Sequence, residues 1–308
     1  MQSTALRIGT RGSPLALAQA EEVRRRLADR GLAPLDEITI VPIRTTGDRI
    51  VDRPLAEAGG KGLFTKEIDE ALLAGRVDMA VHSSKDMPTV LPDGLMIAAC
   101  LPRADVRDAF ISAKAARLAD LQHGAILGTA SLRRSALALR ARPDLRIVNV
   151  RGNVETRLKR LAEGVADATI LAAAGLARLG LGERITSLIE VDEWLPAVGQ
   201  GVIGVVARTA DASARRYLAA IDHRDTSFAL AAERAYLAVL DGSCRTPIGG
   251  LARIDGGRLS FRGIIIKPDG SAAHETAREG LAADAERIGA EAGAELARRG
   301  GPDFFAGH

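Results

Sequence analysis

The chain has 308 residues, of which 47% are hydrophobic, 26% are charged and only 3% are aromatic, and its formal net charge is +3. This length predicts two or three globular domains, and no apolar run approaches the eighteen or so residues that a membrane span needs, so we expect no membrane partner. Proteins that bind single-stranded nucleic acid need aromatic side chains on which the bases stack, and other nucleic-acid-binding proteins carry recognisable motifs. The chain has few aromatic residues and none of these motifs, so we expect no nucleic-acid partner.

Cysteine and histidine usage predicts a cytoplasmic protein without a metal centre. The two cysteines, Cys100 and Cys244, cannot form a disulfide scaffold or a thiolate zinc site, and they fit a reducing compartment. The five histidines are scattered and lack metal-ligand spacing. The first residues do not combine a basic segment with an apolar one, so we expect no secretory signal.

The first predicted unit opens with a strand, a basic loop and a helix. A short strand from Leu6 leads to Arg11, and Ser13 and Pro14 are a good N-cap and a good first residue for the helix that Gly31 ends. This layout is typical of an anion-binding site, because a helix start presents free backbone N–H groups. A solvated surface charge explains Arg11 equally well.

Two polar segments of this unit are candidates for function. Residues 45–62 are rich in glycine and charge and longer than most loops, which predicts a mobile lid. A buried strand over 78–81 leads into His82–Pro88, which carries Lys85 and Asp86. Ligands of α/β sheets bind beyond the carboxyl ends of strands, so this pair is expected at the mouth of a crevice. The alternative is a hydrophilic turn before a proline.

A second unit begins near Asp108 and repeats the alternation, which predicts a mostly parallel sheet. Segments marked by proline and glycine flank it at 102–107 and 195–201, and another apolar strand follows at 202–207. The chain is therefore expected to leave the first domain and to re-enter it later. Further strands, each followed by a helix, are predicted over residues 125–127, 146–150 and 168–171.

Residues 128–157 form a basic stretch, which contains seven arginines but only two acidic residues. A guanidinium group holds a carboxylate or phosphate through two parallel hydrogen bonds, and part of the stretch falls where strands give way to helices. We interpret it as a site for a ligand with several carboxylates or phosphates; the alternative is a solvated basic face. The arginines are Arg133, Arg134, Arg140, Arg142, Arg146, Arg151 and Arg157.

The order of predicted helices and strands changes after about residue 222, where a small α+β domain is predicted. Cys244 lies between Ser243 and Arg245 in a glycine-containing loop, where a neighbouring cation favours the thiolate, so we expect a chemical role for it. The alternative is a buried small hydrophobe, which we expect for Cys100 in its apolar strand. The predicted elements are a helix over 226–240, strands over 248–254, 259–266 and 272–277, and a helix over 282–299.

Seven segments, in order along the chain, resemble the porphobilinogen deaminase family, also called the hydroxymethylbilane synthase family. Among them are Val-His-Ser-Ser-Lys-Asp-Met-Pro and Gly-Ser-Cys-Arg-Thr-Pro-Ile-Gly. The residues at Glu57, Ser84, Ala130 and Ser243 depart from the family's usual ones, and the C-terminal domain resembles the family only in outline. The matching segments are 7–16, 59–64, 80–88, 128–134, 151–158, 195–201 and 242–249.

The resemblance implies an α/β fold of two similar domains joined by a double crossover, as in type II periplasmic binding proteins, and a small α+β C-terminal domain. Domain 1 is expected over 1–101 and 202–219, domain 2 over 107–195, and domain 3 over 224–308.

The resemblance also implies an enzyme with a covalent dipyrromethane cofactor, thioether-linked to Cys244. Family members join four porphobilinogen molecules head to tail, release ammonia at each step and hydrolyse off hydroxymethylbilane, for haem and chlorophyll biosynthesis. We expect a monomer that acts on this small-molecule substrate. The alternative is a two-lobed protein that binds carboxylates or other anions without catalysis.

Individual site residues follow from the same matches, and Asp86 is the implied catalytic carboxylate. Hydrogen-bonded to pyrrole N–H groups, it would stabilise positive charge on the ring. The implied cofactor-binding residues are Cys244, Lys85, Asp86, Thr129, Ser131, Arg133, Arg134 and Arg157. The implied substrate-binding residues are Arg11, Ser13, Phe64, Arg151, Arg157 and Arg178.

Overall fold

The computed structural model describes residues 6–49, 62–240 and 246–305. Within them the chain forms two five-stranded sheets with helices and one three-stranded sheet. Cys244, its loop at 241–245 and residues 50–61 of the predicted lid lie outside the described residues.

The first stretch of the chain builds most of the first sheet. Ser13 is the N-cap that the sequence predicts: its side chain accepts a hydrogen bond from the backbone N–H of Ala16 (3.3 Å), and Pro14 begins the helix. The elements are β1 (Leu6–Arg11), α1 (Pro14–Asp29), β2 (Ile38–Ile43), α2 (Thr46–Arg49), α3 (Lys66–Leu73), β3 (Met79–Ser83) and β4 (Leu95–Cys100).

The second stretch builds the second sheet. The strand predicted over 146–150 ends earlier, at Val148, and the last strand of this stretch was missed because three residues carry too little pattern. The elements are β5 (Asp108–Ile111), β6 (Ile126–Gly128), α4 (Leu132–Ala141), β7 (Arg146–Val148), α5 (Val154–Ala162), β8 (Ala168–Ala172), α6 (Ala173–Arg178) and β9 (Ser187–Ile189).

The chain then returns to the first sheet and ends in a separate α+β unit. The predicted helix at 282–299 starts as a short 3-10 turn over Ala282–Asp284 before it becomes an α-helix. The elements are β10 (Ile203–Arg208), α7 (Ala212–Ala219), α8 (Arg224–Val239), β11 (Ile248–Asp255), β12 (Arg258–Ile266), β13 (Ala273–Leu281) and α9 (Ala285–Gly300).

The two large sheets have the same topology. Their strand orders are β2-β1-β3-β10-β4 and β7-β6-β8-β5-β9. In each sheet one strand, β10 or β5, runs antiparallel to both of its neighbours, and the other four share one direction. The chain passes between the two sheets twice: the first crossover is residues 101–107, between β4 and β5, and the second crossover is residues 190–202, between β9 and β10. The strand that follows the second crossover thus completes the first sheet. This arrangement confirms the predicted fold of two similar α/β domains with a double crossover.

The antiparallel strand of the first sheet is part of its core. Ile203 and Val205 of β10 are fully buried with Ile8 of β1 in one apolar cluster. Cys100 at the end of β4 is buried and free, as predicted, and burial raises the pKa of its thiol to about 11. In the described part of the chain, no helix combines the length and the apolar character that crossing a membrane requires.

The third domain is attached to both crossovers through one buried carboxylate. Glu233 of α8 is fully buried and pairs with Arg103 of the first crossover at 2.5 Å. The same carboxylate accepts hydrogen bonds from the backbone N–H of Gly199 in the second crossover (2.6 Å) and of Ala252 in β11 (2.8 Å). This ion pair therefore links both connections between the large domains to domain 3.

Candidate active site

The site begins with the 3-10 turn Ser84–Asp86, here called the β3 turn, at the carboxyl end of β3. The second crossover packs directly on it: the backbone N–H of Ser84 donates to the carbonyl of Val202 (3.0 Å). Gly199 has φ +73°, and a Cβ atom there would lie 3.1 Å from the backbone nitrogen of Lys85. Only glycine suits both this conformation and this close approach.

The two charged residues of the β3 turn lie in different environments. Asp86 is exposed, whereas Lys85 is half-buried. Burial and the positive charges of Arg134 and Arg133 lower the pKa of Lys85 to about 8, although Asp86 and Asp108 act in the opposite direction. The β3 turn of domain 1 therefore faces the charged groups of domain 2.

Arg133 and Arg134, in the first turn of α4, are buried beside the carboxylate of Asp108. Each guanidinium reaches this carboxylate at 2.7 Å. Burial alone would raise the pKa of Asp108, but the two guanidinium groups keep it well below its usual value. Asp108 was not predicted from the sequence, because nothing in the pattern of a strand start indicates a partner 25 residues away.

Thr129 and Ser131 shape the turn before α4. The hydroxyl of Thr129 accepts a hydrogen bond from the backbone N–H of Ser131 (3.2 Å), and Ser131 caps the helix by accepting from the N–H of Arg134 (3.4 Å). These two residues fix the backbone from which the buried arginines project.

Arg157 brings a further positive charge to the same region. Burial and the charge of Arg134 lower its pKa to about 10, while Asp86 raises it and Arg151 lowers it. The Nε of Arg157 donates to the carbonyl of Gly152 (2.9 Å) at the start of α5. Arg157 of domain 2 and Asp86 of domain 1 thus interact electrostatically across the space between the domains.

Three other arginines of the basic stretch are not part of this group. Arg142 pairs with Asp144 at 2.7 Å and donates to the carbonyl of Ala119 (2.9 Å), so it stabilises the loop between β5 and β6. Arg140 and Arg146 are exposed. The stretch is therefore divided between the interdomain region and the outer surface, which sequence spacing alone did not reveal.

A small pocket, which Asp86 also lines, lies beside α1. Its walls include Arg11, Ser13, Phe64 and His82. The Arg11 guanidinium lies 4.4 Å from the centre of the Phe64 ring, a cation–π contact. The substrate-binding residues expected from the N-terminal motif and from the lid edge therefore lie together with the expected catalytic carboxylate.

His82 is a residue of this pocket for which no role was predicted from the sequence. It is buried, its Nε2 has no hydrogen-bond partner among the described residues, and burial together with Arg11 lowers its pKa to about 4. Its position near the carboxyl end of β3, two residues before the β3 turn, was the available signal. The imidazole is neutral at physiological pH.

Arg178, at the end of α6, joins the two large domains. It lies 3.6 Å from Glu22 of α1 and donates to the carbonyl of Gly201 in the second crossover (3.1 Å). In this structure it therefore bridges domain 1, domain 2 and the crossover.

Over residues 6–49, 62–240 and 246–305, no cluster of three or more His, Cys, Asp or Glu side chains is placed to hold a metal ion.

The chain matches two models of one protein family. Residues 6–216 match the model described as porphobilinogen deaminase, dipyromethane cofactor binding domain, and residues 228–298 match that of the porphobilinogen deaminase C-terminal domain. The chain therefore contains the dipyrromethane cofactor-binding domain of this family.

Solved structures with a similar arrangement include the methionine-binding protein MetQ and a nutrient-binding protein from Burkholderia cenocepacia bound to methionine. Their TM-scores are 0.46 and 0.43, and their identities are 16% and 14%. The first covers 71% of this chain and 91% of its own, and the second covers 70% and 90%.

Two curated relatives are similar over nearly the whole chain. Porphobilinogen deaminase of Nitrobacter hamburgensis is 60% identical over 298 residues, and that of Nitrobacter winogradskyi is 59% identical over the same length. Each alignment covers 97% of this chain and 94% of the relative. Because both models of the family match the chain and these relatives are about 60% identical to it, the chain belongs to the porphobilinogen deaminase family.

Proposed function

We propose that the protein is a hydroxymethylbilane synthase, a transferase of tetrapyrrole biosynthesis. It condenses four porphobilinogen molecules head to tail, releases one ammonia at each condensation, and hydrolyses the finished chain to hydroxymethylbilane. Membership of the porphobilinogen deaminase family supports this activity, and the chain includes both family domains.

The observation that carries the proposal is the arrangement of charge around Asp86. This carboxylate interacts electrostatically with Lys85 and with Arg157 across the interdomain space, and Arg134 acts on both of these cations. Each porphobilinogen brings an acetate and a propionate, which guanidinium groups bind well, especially where water is excluded. A carboxylate among such cations suits a reaction in which a polyanionic chain grows while positive charge develops on one ring.

The residues around this region fit a dipyrromethane, whose side chains are carboxylates. The buried Nε of Arg133 has no hydrogen-bond partner in the described part of the chain, so a donor remains for a bound anion. When bound, the dipyrromethane supplies the nucleophilic pyrrole carbon to which the first substrate unit is joined. The residues proposed to hold it are Lys85, Asp86, Thr129, Ser131, Arg133, Arg134 and Arg157.

A thioether from Cys244 to the dipyrromethane is part of the proposal. The two elements that flank Cys244 in the sequence both contact the second crossover. Glu233 of α8 accepts from the N–H of Gly199 (2.6 Å), and the N–H of Gly250 in β11 donates to the carbonyl of Pro196 (3.0 Å). Because the same crossover packs on the β3 turn, both flanking elements are fixed close to the proposed catalytic carboxylate.

Asp86 is the proposed catalytic residue. Its carboxylate, exposed at the end of the β3 turn, can accept hydrogen bonds from pyrrole N–H groups and stabilise positive charge on the reacting ring. It can also take the proton that leaves the ring carbon after the new bond forms.

The remaining residues are proposed to bind substrate carboxylates. Arg11, Ser13 and Phe64 line the pocket that also contains Asp86, which suits an incoming monomer. Arg151 acts electrostatically on Arg157 and is proposed, with Arg178, for the growing chain.

We further propose that the protein acts as a cytoplasmic monomer, without nucleic acid or membrane. Two cysteines in 308 residues, one of them free and buried, suit a reducing compartment.

Intact-mass spectrometry of freshly purified protein tests the function. We expect the wild-type chain to be heavier than its sequence by two pyrrole units, and Cys244→Ser to show the bare sequence mass. Cys100→Ala is the matched control, because that thiol is buried in the core, and it should carry the adduct. A bare mass for the wild-type chain would refute the proposal.

A further inference from the structure

Asp108, the first residue of β5, is a buried carboxylate that is not among the residues proposed to bind cofactor or substrate. It is 1% exposed, and it contacts Arg133 through one oxygen and Arg134 through the other, each at 2.7 Å. The Nε of Arg134 also donates to this carboxylate, at 3.2 Å. One anion therefore holds two adjacent guanidinium groups that would otherwise repel each other.

Further hydrogen bonds fix the orientation of both guanidinium groups. Arg133 donates from Nη1 to the carbonyl of Leu195 (2.8 Å), and Arg134 donates from Nη1 to the carbonyl of Ile170 (2.9 Å). The planar group of arginine has five N–H donors in a fixed fork, so these bonds and the contacts with Asp108 determine where the remaining donors point. One of those left is the Nε of Arg133, which is buried and unpartnered among the described residues.

The second crossover completes this arrangement. Gln200 is fully buried, and its amide nitrogen donates to Asp108 (3.0 Å) and to the carbonyl of Val106 in the first crossover (2.8 Å). The carboxylate is thus held between two arginines of domain 2 and a glutamine of the crossover. It also acts electrostatically on Lys85 in the β3 turn.

We propose that Asp108 is a positioning residue for the oligopyrrole site, acting through Arg133 and Arg134. It does not touch the pyrrole chain; it sets the planes of the two guanidinium groups and thereby the direction of the donors left for pyrrole carboxylates. This inference rests on the proposed function. Replacing a buried ion cluster by apolar residues is often neutral or stabilising, so stability alone does not require this carboxylate.

Asp108→Glu separates positioning from charge. The variant keeps the negative charge but moves the carboxylate by one methylene, so both guanidinium groups must reorient. We expect the thermal midpoint to stay within a few degrees of wild type. The rate of adduct formation, measured as the pyrrole mass gained after porphobilinogen is added to the freshly purified, folded monomer fraction, should fall about tenfold to a hundredfold, because a displacement of about 1 Å can have that effect.

Asp78→Glu is the matched control. Asp78 also lies between two arginines, Arg7 at 2.9 Å and Arg208 at 3.9 Å, but it precedes β3 and so lies at the opposite end of that strand from the β3 turn. This variant should form the adduct at the wild-type rate. Both variants are compared by intact mass over time, with circular dichroism to measure the folded fraction.

The outcomes separate the inference from the proposed function. If wild-type protein forms no pyrrole adduct, the proposed function fails. If wild-type protein is loaded and folded Asp108→Glu is loaded at the same rate, only the positioning role is overturned. Should Asp108→Glu not fold, Gln200→Met removes one hydrogen bond of Asp108 and keeps its charge; unchanged loading in that variant overturns the proposal, and slower loading supports it.

Discussion

At the scale of single residues, the chemistry depends on how unequally neighbouring side chains are buried. Lys85 and Asp86 are adjacent in sequence, yet the lysine is half-buried near the guanidinium groups of Arg133 and Arg134, and the aspartate is exposed. Burial disfavours the charged form of a group, whereas a nearby opposite charge favours it. A single turn therefore presents an accessible carboxylate beside an ammonium group whose pKa is lowered to about 8.

Asp86→Asn is expected to leave the fold intact and to lower the turnover of porphobilinogen by about 10²- to 10⁴-fold, because the amide neither carries the charge nor takes a proton. The steady-state rate of hydroxymethylbilane formation measures this. Asp93→Asn, at another exposed aspartate of domain 1, should keep wild-type turnover. Equal turnover in the two variants would remove Asp86 from the mechanism.

His82 makes stability depend on pH. Its pKa is about 4 in the folded protein and about 6.5 when unfolded, so the folded state binds fewer protons, and stability should fall as pH drops from about 6.5 towards 4. His82→Gln should remove up to about 3 kcal/mol of this dependence. Urea unfolding at several pH values measures it.

The buried Asp69 has the opposite effect, because burial raises its pKa to about 6 and stability then falls as pH rises through that range. Asp69 is present in both the wild type and His82→Gln, so its contribution cancels in the comparison. Parallel curves of unfolding free energy against pH would contradict the assignment of His82. The charged groups that share its pocket are Arg11 and Asp86.

At the scale of elements, domain 3 depends on the close packing of its two helices. A Cβ atom at Gly289 of α9 would lie 1.9 Å from the carbonyl oxygen of Ala232 in α8. On the sheet side, Tyr236 of α8 packs against Phe261 of β12, with ring centres 5.0 Å apart, and its hydroxyl donates to the carbonyl of Ile264 (3.1 Å). Glycine at position 289 therefore lets α9 lie close to α8, while the other side of α8 packs on the sheet.

Gly289→Ala should destabilise the protein by about 1 to 3 kcal/mol or more, because backbone rather than a movable side chain occupies the space of the new methyl group. Gly175→Ala in α6 is the matched control: its nearest contact would be Leu15 at 3.5 Å, an ordinary distance. That variant should change stability by less than about 1 kcal/mol, in the stabilising direction. Urea unfolding of both variants measures the difference in stability. Similar urea midpoints for the two variants would contradict the packing argument.

At the scale of the whole molecule, two crossovers and one ion pair hold three domains together. Arg103 and Glu233 join the first crossover to α8, and the same carboxylate reaches the second crossover at Gly199. Gly201, with φ +85°, has the carbonyl oxygen of Ala104 2.6 Å from where its Cβ atom would be, so the crossovers also lie against each other. Rotation of one large domain relative to the other would have to preserve or break these contacts.

Glu233→Gln should lower the free energy of unfolding by about 3 to 5 kcal/mol, because it leaves Arg103 buried without its counter-ion. Glu291→Gln, in the exposed pair with Arg287 on α9, is the control and should change it by less than about 1 kcal/mol. Denaturant unfolding of the two variants measures the difference. A loss in Glu233→Gln no greater than that in the control would show that the buried pair is not what joins the domains.

Much of this could be predicted from the sequence because the signals are local. Alternating strands and helices, the Ser13 cap and the buried Cys100 follow from periodicity, turn chemistry and hydrophobicity within short windows. The family motifs likewise indicate which loops carry the residues proposed for the site. The short strand Ser187–Ile189 and the early end of the strand at Val148 were not predicted, since three residues carry little pattern.

By itself, the sequence determined the α/β alternation, the double crossover and the choice of Asp86 and the arginines as candidates for function. The tertiary structure alone decided which charges meet: it brought Asp108 between Arg133 and Arg134, joined Gln200 to that carboxylate, and divided the basic stretch between the interdomain region and the outer surface. The physical reason is that ion pairs and buried hydrogen bonds form between residues far apart in the chain, and only packing determines which of them share a space without water.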